Sequence, residues 1–164
     1  MKTHGTLDTI NRFNRAFQEH DPSAFVDLVA QDCVMETIQP APDGERYEGY
    51  AANLEFWQQL AANRSLRFDI EDTVVMGDRA TIRWRLNFSD GGSVRGVNLL
   101  QVRDGRVVEA LAYAKSPGAA PLPAANNDHR HHTRTSSNAS TAHSKTVMRT
   151  AGHVSSISLF DNAV

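Results

Sequence analysis

Apolar and polar residues alternate in two different rhythms along this chain. Near the start, apolar residues recur every three to four positions, at Leu7, Ile10, Phe13 and Phe17. That spacing predicts an amphipathic first helix. From residue 79 to residue 88, every second side chain is apolar and those between are polar, which is typical of an antiparallel strand with one buried face. Helical segments come first and strands last, so the pattern predicts an α+β domain.

Further elements fit between and after these two. Asp21-Pro22 predicts the start of a second helix that continues through Val29. A short strand is predicted over residues 34–38 and a third helix over residues 48–62. The later part divides into four strands, over residues 68–75, 79–88, 94–102 and 106–115. Asp90-Gly91-Gly92 and Asp104-Gly105 supply turns, because Asp-Gly adopts the positive φ of a tight hairpin. We therefore expect N-terminal helices packed on a curved antiparallel sheet.

The composition changes after Lys115. Eleven of the twelve aromatic residues precede this point, and five of the seven histidines follow it. We therefore assign a folded domain to residues 1–116 and expect residues 117–164 to form a low-complexity, disordered tail, since they hold too little apolar surface to offset the entropy of ordering. The histidine cluster at residues 129–132 has no second structured ligand set, so no metal site is predicted.

Charge and hydropathy narrow the classes of function. The net charge is −2 and the basic residues are scattered, which argues against a nucleic-acid partner. No apolar run reaches the ~20 residues that cross a membrane, and the first residues lack a signal-peptide pattern. We expect a cytoplasmic protein without a membrane partner. Cys33, the single cysteine, is expected to be a small buried side chain. No phosphate-binding glycine loop occurs, so no cofactor is predicted.

Several short segments follow one another in an order typical of a known family. They are Phe17–Asp21, Leu28–Glu36, Tyr47–Gly49, Trp57, Gly77–Ala80, Arg95–Asn98 and Asp104–Val107. Through these segments, residues 6–116 resemble the SnoaL-like branch of the NTF2-like superfamily. The resemblance implies a cone with a pocket between the concave sheet face and the helices. The superfamily contains cyclases, isomerases, dehydratases, epoxide hydrolases and binding modules, so the resemblance by itself selects no activity.

The resemblance also implies a place for the chemistry. In the family's polyketide cyclases an aspartate usually occupies the position of Asn98, and an amide cannot carry a proton as an aspartate can. Glu36, close to where related isomerases place their base, is the candidate general base, although alignment puts that base at Thr37. Asn98 and Tyr113 would donate hydrogen bonds to the oxygen of an apolar carbonyl compound. The leading hypothesis is a cyclase or isomerase; the alternative is a non-catalytic ligand-binding or dimerisation module.

The remaining candidate residues concern the pocket wall and the back of the sheet. Four residues are predicted to contact the ligand: Tyr47, Trp57, Trp84 and Leu100. Both tryptophans also suit the core. An epoxide hydrolase is less favoured, because Arg95 and Asn98 are three apart on a strand and face opposite sides. Apolar residues on the outer face are expected to be covered by a homodimer. That face is predicted to hold Val97, Leu99, Ala110, Ala112 and Ala114.

Overall fold

The computed structural model describes residues 5–115. Helix α1 covers Thr6–Gln18 and a 3-10 helix covers Pro22–Asp27. Strands β1 and β2 cover Val29–Glu36 and Arg46–Glu48, and helix α2 covers Tyr50–Ala62. The four remaining strands are β3 (Leu66–Met76), β4 (Arg79–Phe88), β5 (Ser93–Arg103) and β6 (Arg106–Ala114). The prediction of helices followed by four strands is confirmed.

The six strands form one curved, open sheet in the order β2-β1-β6-β5-β4-β3. Adjacent strands are antiparallel except for β1, which runs parallel to β6. The sheet is therefore mixed rather than fully antiparallel: four strands and α2 separate β1 from β6 in the chain, and β6 then lies beside β1 in the same direction. Helices α1 and α2 pack on one side of the sheet, which we call the inner face; the opposite side is the outer face.

The second helix is shorter than the sequence predicts. The Asp21 side chain accepts a hydrogen bond from the Ser23 backbone N–H at 3.0 Å, and Pro22 occupies the first helical position, as expected. The turn is a 3-10 helix that ends at Asp27, however, and Val29 already belongs to β1. The cause is long-range: the Val107 N–H donates to the Leu28 carbonyl at 2.7 Å, so the chain here pairs with β6 instead of continuing the helix.

Aromatic rings fill the space between the helices and the sheet. Phe13 lies at the centre of the cluster, with ring centroids 5.1 Å from Phe17, 5.7 Å from Phe25 and 5.0 Å from Trp57. All three pairs are close to edge-to-face, the arrangement that ring quadrupoles favour. The ring contacts extend from Phe17 to two residues of the sheet, Phe68 and Trp84. This cluster is the core that fixes α1 over β3 and β4.

Asn53 joins β1, β2 and α2. Its side chain is completely buried, and its Nδ2 donates to the carbonyl oxygens of Cys33, Tyr47 and Gly49 at 3.0, 3.3 and 2.7 Å. Cys33 is also fully buried, as predicted, and burial raises the pKa of its thiol to about 12. The amide of Asn53 therefore holds three elements together at a point shielded from water.

Replacing Asn53 with alanine is expected to lower the free energy of unfolding by about 2 kcal/mol, because buried carbonyl groups lose their donor. The loss is moderated because the variant also removes the buried Oδ1, which has no partner among the described residues. Urea unfolding followed by circular dichroism measures the effect. Asn11→Ala, an exposed change on α1, is the control. Equal stability of the two variants would contradict the role given to Asn53.

Candidate functional site

The inner face of the sheet is almost entirely apolar. Strand pairing places Ile82, Asn98 and Ala112 side by side in one row, and Trp84, Gly96 and Ala114 in the next. Side chains of directly paired residues point to the same face of a sheet. In the described strands β4–β6, every charged residue lies on the outer face. Within β4–β6, Asn98 is therefore the one inward polar side chain on an uncharged surface; the next polar group in its row is Thr73 of β3, which accepts a hydrogen bond from Asn14 of α1 at 3.4 Å.

Trp84 holds one end of the Asn98 side chain. Its indole Nε1–H donates to Asn98 Oδ1 at 3.0 Å. Trp84 is only 5% exposed, whereas Asn98 is half-buried. The Asn98 Nδ2 group has no acceptor among residues 5–115. Since an amide nitrogen carries two N–H donors, this end of the side chain is available to a ligand. Asn98 thus faces inward, on the side of the sheet that carries the helices.

Gly96 makes the contact between Trp84 and Asn98 possible. It lies directly opposite Trp84 in the β4–β5 pair. A Cβ atom at residue 96 would overlap the Trp84 ring and the Tyr113 carbonyl oxygen. The indole therefore lies over the glycine, and from there it reaches Asn98. Gly96 was not predicted to be a site residue. A glycine opposite an aromatic residue is the signal that would have found it, once the strand register is known.

Tyr113 lies on the outer face, contrary to the prediction. Asp104-Gly105 forms the expected tight turn, with φ of 53° and 73°, and it pairs Arg103 with Arg106. An uninterrupted register from this turn would place Tyr113 opposite Gly96, on the inner face. Instead, Val102 pairs with Val107 and Gln101 with Glu109. One extra residue, Val108, therefore forms a β-bulge in β6, and the side chains beyond it change faces.

The same bulge corrects the prediction for three alanines. Ala110, Ala112 and Ala114 were expected on the outer face, but they pair with Leu100, Asn98 and Gly96 on the inner face. Tyr113 is 54% exposed on the opposite side. The inner surface next to Asn98 therefore consists of small methyl groups instead of a phenol.

Glu36 also lies on the outer face. It ends β1 as expected, but Met35 pairs with the inward Ala110, so Glu36 points to the other side. There its Oε1 is 3.2 Å from Nη1 of Arg46. Thr37 is buried, and its hydroxyl donates to the Gln39 carbonyl at 2.6 Å. Glu36, Asn98 and Tyr113 consequently do not converge, and the prediction that they share one site is wrong.

Of the four residues predicted to line the pocket, two lie next to Asn98 and two do not. Trp84 and Leu100 lie beside Asn98 on the inner face, and Leu100 is buried in the deeper part. Trp57 is 3% exposed and belongs to the aromatic core. Tyr47 lies at the sheet edge against Phe56, with ring centroids 5.1 Å apart. Its strand is three strands from that of Asn98, or ~14 Å at the usual strand spacing.

Arg95 lies on the outer face, opposite to Asn98 as predicted. Its Nη2 is 2.6 Å from Oε2 of Glu71, and Nε of Arg85 is 3.6 Å from Oε1 of the same carboxylate. The hydrogen bond from Arg95 is the main cause that lowers the pKa of Glu71, and the charges of Arg95 and Arg85 act in the same direction. The arginine is thus engaged in an outer ion-pair network, away from the candidate site.

The Glu71→Gln variant is expected to lose stability at neutral pH and to approach the parent protein as the pH falls. The folded pKa of Glu71 lies below its unfolded value, so its contribution is present above the unfolded pKa and disappears as pH falls through the folded one. Urea unfolding at neutral pH and at about pH 3 measures this change. Glu19→Gln, an exposed change after α1, serves as the control. A stability difference independent of pH would contradict the assignment.

Residues 5–115 contain neither a metal-ligand cluster nor a helix suited to cross a membrane. No group of three or more His, Cys, Asp or Glu side chains in this part of the chain is arranged to hold a metal ion. None of its helices is long and apolar enough to span a membrane. The histidine cluster at residues 129–132 and the tail predicted to be disordered, residues 117–164, lie outside the described residues.

Comparisons with known proteins agree on the fold. The SnoaL-like domain family matches residues 10–110. The crystal structure of an NTF2-like protein of unknown function from Mesorhizobium loti is 50% identical, with a TM-score of 0.67 over 71% of this chain and 95% of the other. A protein from Sinorhizobium meliloti assigned as a polyketide cyclase is 24% identical, with a TM-score of 0.55 over 64% and 93% of the two chains. One from Kribbella flavida assigned as a ketosteroid isomerase is 20% identical, with a TM-score of 0.59 over 79% and 90%. No protein with a curated function matches the sequence.

Proposed function

Since this chain belongs to the SnoaL-like domain family and has the NTF2-like fold, we propose that it binds a small, largely apolar molecule against the inner face of its sheet. The observation that carries this proposal is the Nδ2 group of Asn98, a donor without an acceptor among the described residues. Ligand sites are typically apolar surfaces with a few polar groups that fix the orientation of the ligand. Asn98 provides such a group.

The ligand is uncharged in this proposal. The charged side chains of β4–β6 lie on the outer face, so an ion on the inner face would lose water without gaining a partner of opposite charge. Desolvation of an unpaired ion costs several kcal/mol or more. A neutral molecule loses far less on entering the same surface, and its apolar part gains from contact with Leu100, Ala112 and Trp84.

Binding without general-base catalysis agrees best with the positions of the residues. A cyclase or isomerase that begins by removing a proton needs a base beside the ligand. Glu36, the candidate base, lies on the outer face in an ion pair with Arg46, and Asn98 is an amide. The inward side chains of β4–β6 include no carboxylate or histidine. We therefore propose the non-catalytic ligand-binding module over the cyclase or isomerase.

A screen of neutral, apolar compounds by nitrogen–proton correlation NMR tests the proposal. Binding should shift the Asn98 side-chain amide and Trp84 indole signals, assigned with Asn98→Asp and Trp84→Phe. Matched carboxylic acids should leave both signals unchanged. If no neutral compound shifts these signals at concentrations up to its solubility, or if only the acids do, the proposed function is wrong.

We also propose that the outer face pairs with the same face of a second copy of this chain. Five apolar residues form a patch on it, which we call the outer patch: Val74, Val97, Leu99, Leu111 and Tyr113. Leu99 and Tyr113 are 40% and 54% exposed. The five longer strands, β1 and β3–β6, together offer ~800 Å² on one face of the sheet. This area is close to what one partner buries in a stable interface. Ion pairs such as Arg83–Asp72 border the patch, so both signs of charge are available to a second copy.

Light scattering after gel filtration tests this dimer. The parent protein should elute as a dimer and Leu99→Asp as a monomer, because a carboxylate would be buried without a partner. Leu7→Asp, on an exposed position of α1, should remain dimeric. A monomeric parent protein at high micromolar concentration would refute the proposed interface.

A further inference from the structure

We propose that Trp84 and Gly96 act as positioning residues that keep Asn98 in one orientation, as a hydrogen-bond donor toward the ligand. The site would then select a molecule with an acceptor oxygen, such as a ketone, over the matching alcohol. This inference rests on the proposed function and specifies the class of ligand. It follows from three features: the indole bond to Asn98, the close approach of Trp84 to Gly96, and the uncharged surroundings.

An asparagine side chain by itself does not discriminate between donors and acceptors. Its oxygen and nitrogen ends have nearly the same shape, so a half-turn of the amide exchanges them. Trp84 breaks this symmetry, because an indole N–H can only donate. In the observed orientation Oδ1 accepts that bond at 3.0 Å. In the reversed orientation two donors would face each other, and the buried indole N–H would lose its partner.

The indole itself is held in place from two directions. On one side it lies over Gly96, where no Cβ atom could fit. Its ring centroid is 6.0 Å from that of Phe68, with the planes at 75°. Phe68 in turn contacts Phe17 of α1 at 5.2 Å. Trp84 is therefore anchored to the aromatic core, and its N–H is presented to Asn98 without freedom to turn away.

The available Nδ2 group matches a carbonyl oxygen. A ketone needs only one donor, which Asn98 supplies. An alcohol can accept the same bond, but its own O–H then needs an acceptor on the inner face. Trp84 occupies one of the two lone pairs of Asn98 Oδ1, and the other inward residues of β4–β6 offer no side-chain acceptor. The next polar side chain in the row, Thr73 of β3, is two strands away, ~10 Å, so the hydroxyl hydrogen has only the second lone pair of Oδ1 left to bind. We expect a ketone to bind about tenfold more tightly than the alcohol of the same skeleton.

Three compounds with one carbon skeleton measure this preference: decalone, decalol and the hydrocarbon decalin. Dissociation constants come from NMR titrations of the parent protein and of Trp84→Phe, which keeps a ring over Gly96 but removes the N–H. The parent protein should prefer decalone over decalol by about tenfold. In Trp84→Phe the ratio of the decalol and decalone dissociation constants should approach one, and the affinity for decalone should fall more than that for decalin, which loses only apolar contact with the indole. A merely structural role of Trp84 would weaken all three ligands equally.

A second variant removes the donor and keeps the indole bond. Asn98→Asp retains an oxygen for the Trp84 N–H, so it should fold even if Trp84→Phe does not. At about pH 8.5, far above the usual pKa of an aspartate, the side chain is only an acceptor, and the affinity for decalone should fall at least tenfold. Asn11→Asp, exposed on α1, adds the same charge as a control and should change nothing.

The possible results separate the two proposals. If the parent protein binds none of the three compounds, this inference is wrong, and the screen of neutral compounds decides the proposed function separately. If all three bind with equal affinity, ligand binding stands and the selection of acceptors is wrong. If the preference for decalone persists in Trp84→Phe, Asn98 selects the ligand without help from Trp84, and the positioning role is overturned. Loss of the preference in both variants supports the inference.

Discussion

Alanine at position 96 is expected to lower the free energy of unfolding by about 3 kcal/mol, because it forces extra volume into a filled site. The new Cβ would overlap the Trp84 ring and the Tyr113 carbonyl oxygen. The ring and the β6 backbone must both move, and the bond from Trp84 to Asn98 depends on the ring position. Urea unfolding measures the stability, and the Trp84 indole signal in the NMR spectrum reports the loss of the bond.

The control for this variant is Gly5→Ala. No atom lies within 4 Å of a Cβ built on Gly5, and its φ of −65° suits any residue. It should cost less than about 1 kcal/mol, since Gly5 only precedes α1 as its N-cap. If Gly96→Ala is as stable as Gly5→Ala, the close approach of Trp84 to the strand is not what fixes the site.

Truncation of Phe13 to alanine is expected to cost about 4 kcal/mol, a value typical of buried phenylalanines. The ring is 2% exposed and contacts Phe17, Phe25 and Trp57 at centroid distances of 5.0 to 5.7 Å. Its removal leaves a cavity at the point where α1, the 3-10 helix and α2 meet. Because a whole domain is stabilised by only ~5–15 kcal/mol, thermal unfolding should begin at a clearly lower temperature.

Two further variants show whether volume explains this loss. Phe13→Leu fills most of the space and should recover more than half of the stability lost by Phe13→Ala. Leu7→Ala changes a residue of the same helix that is 56% exposed, and it should remain within about 0.5 kcal/mol of the parent protein. A loss as large in Leu7→Ala as in Phe13→Ala would mean that burial in the aromatic cluster is not what makes Phe13 important, since both changes raise the helix propensity of α1.

The sequence predicts those features that depend on local periodicity. The alternation from residue 79 to residue 88 predicts the limits of β4 as observed, and Asp104-Gly105 predicts its turn. The inward position of Asn98 did not follow from alternation, because both faces of β5 carry apolar residues; its pairing with the inward Ile82 decides it. The prediction of β4 holds because one face of a half-buried strand is apolar, so apolar residues recur at every second position whichever strands it pairs with.

Features that depend on pairing between distant segments were not predicted. The face of Tyr113 depends on the bulge at Val108, and no local pattern marks that residue. A regular ladder from the Asp104-Gly105 turn would place Glu109 opposite the buried Leu100, on the inner face. Burial of an unpaired carboxylate there is costly, whereas the bulge leaves Glu109 outside, 3.5 Å from Arg79. The register of β6 is therefore determined by burial and pairing across the whole sheet, and not by the sequence of β6 alone.

Val108 also affects how residue assignments are transferred between relatives. Because this residue has no counterpart in the ladder with β5, its deletion would leave a regular strand in which Ala110, Ala112 and Ala114 still face inward. A relative without the bulge thus aligns with β6 only if a one-residue gap is placed at Val108. An ungapped alignment between the turn and the strand end would equate inward with outward side chains. It would thereby assign to Tyr113 a role that belongs, by geometry, to an alanine.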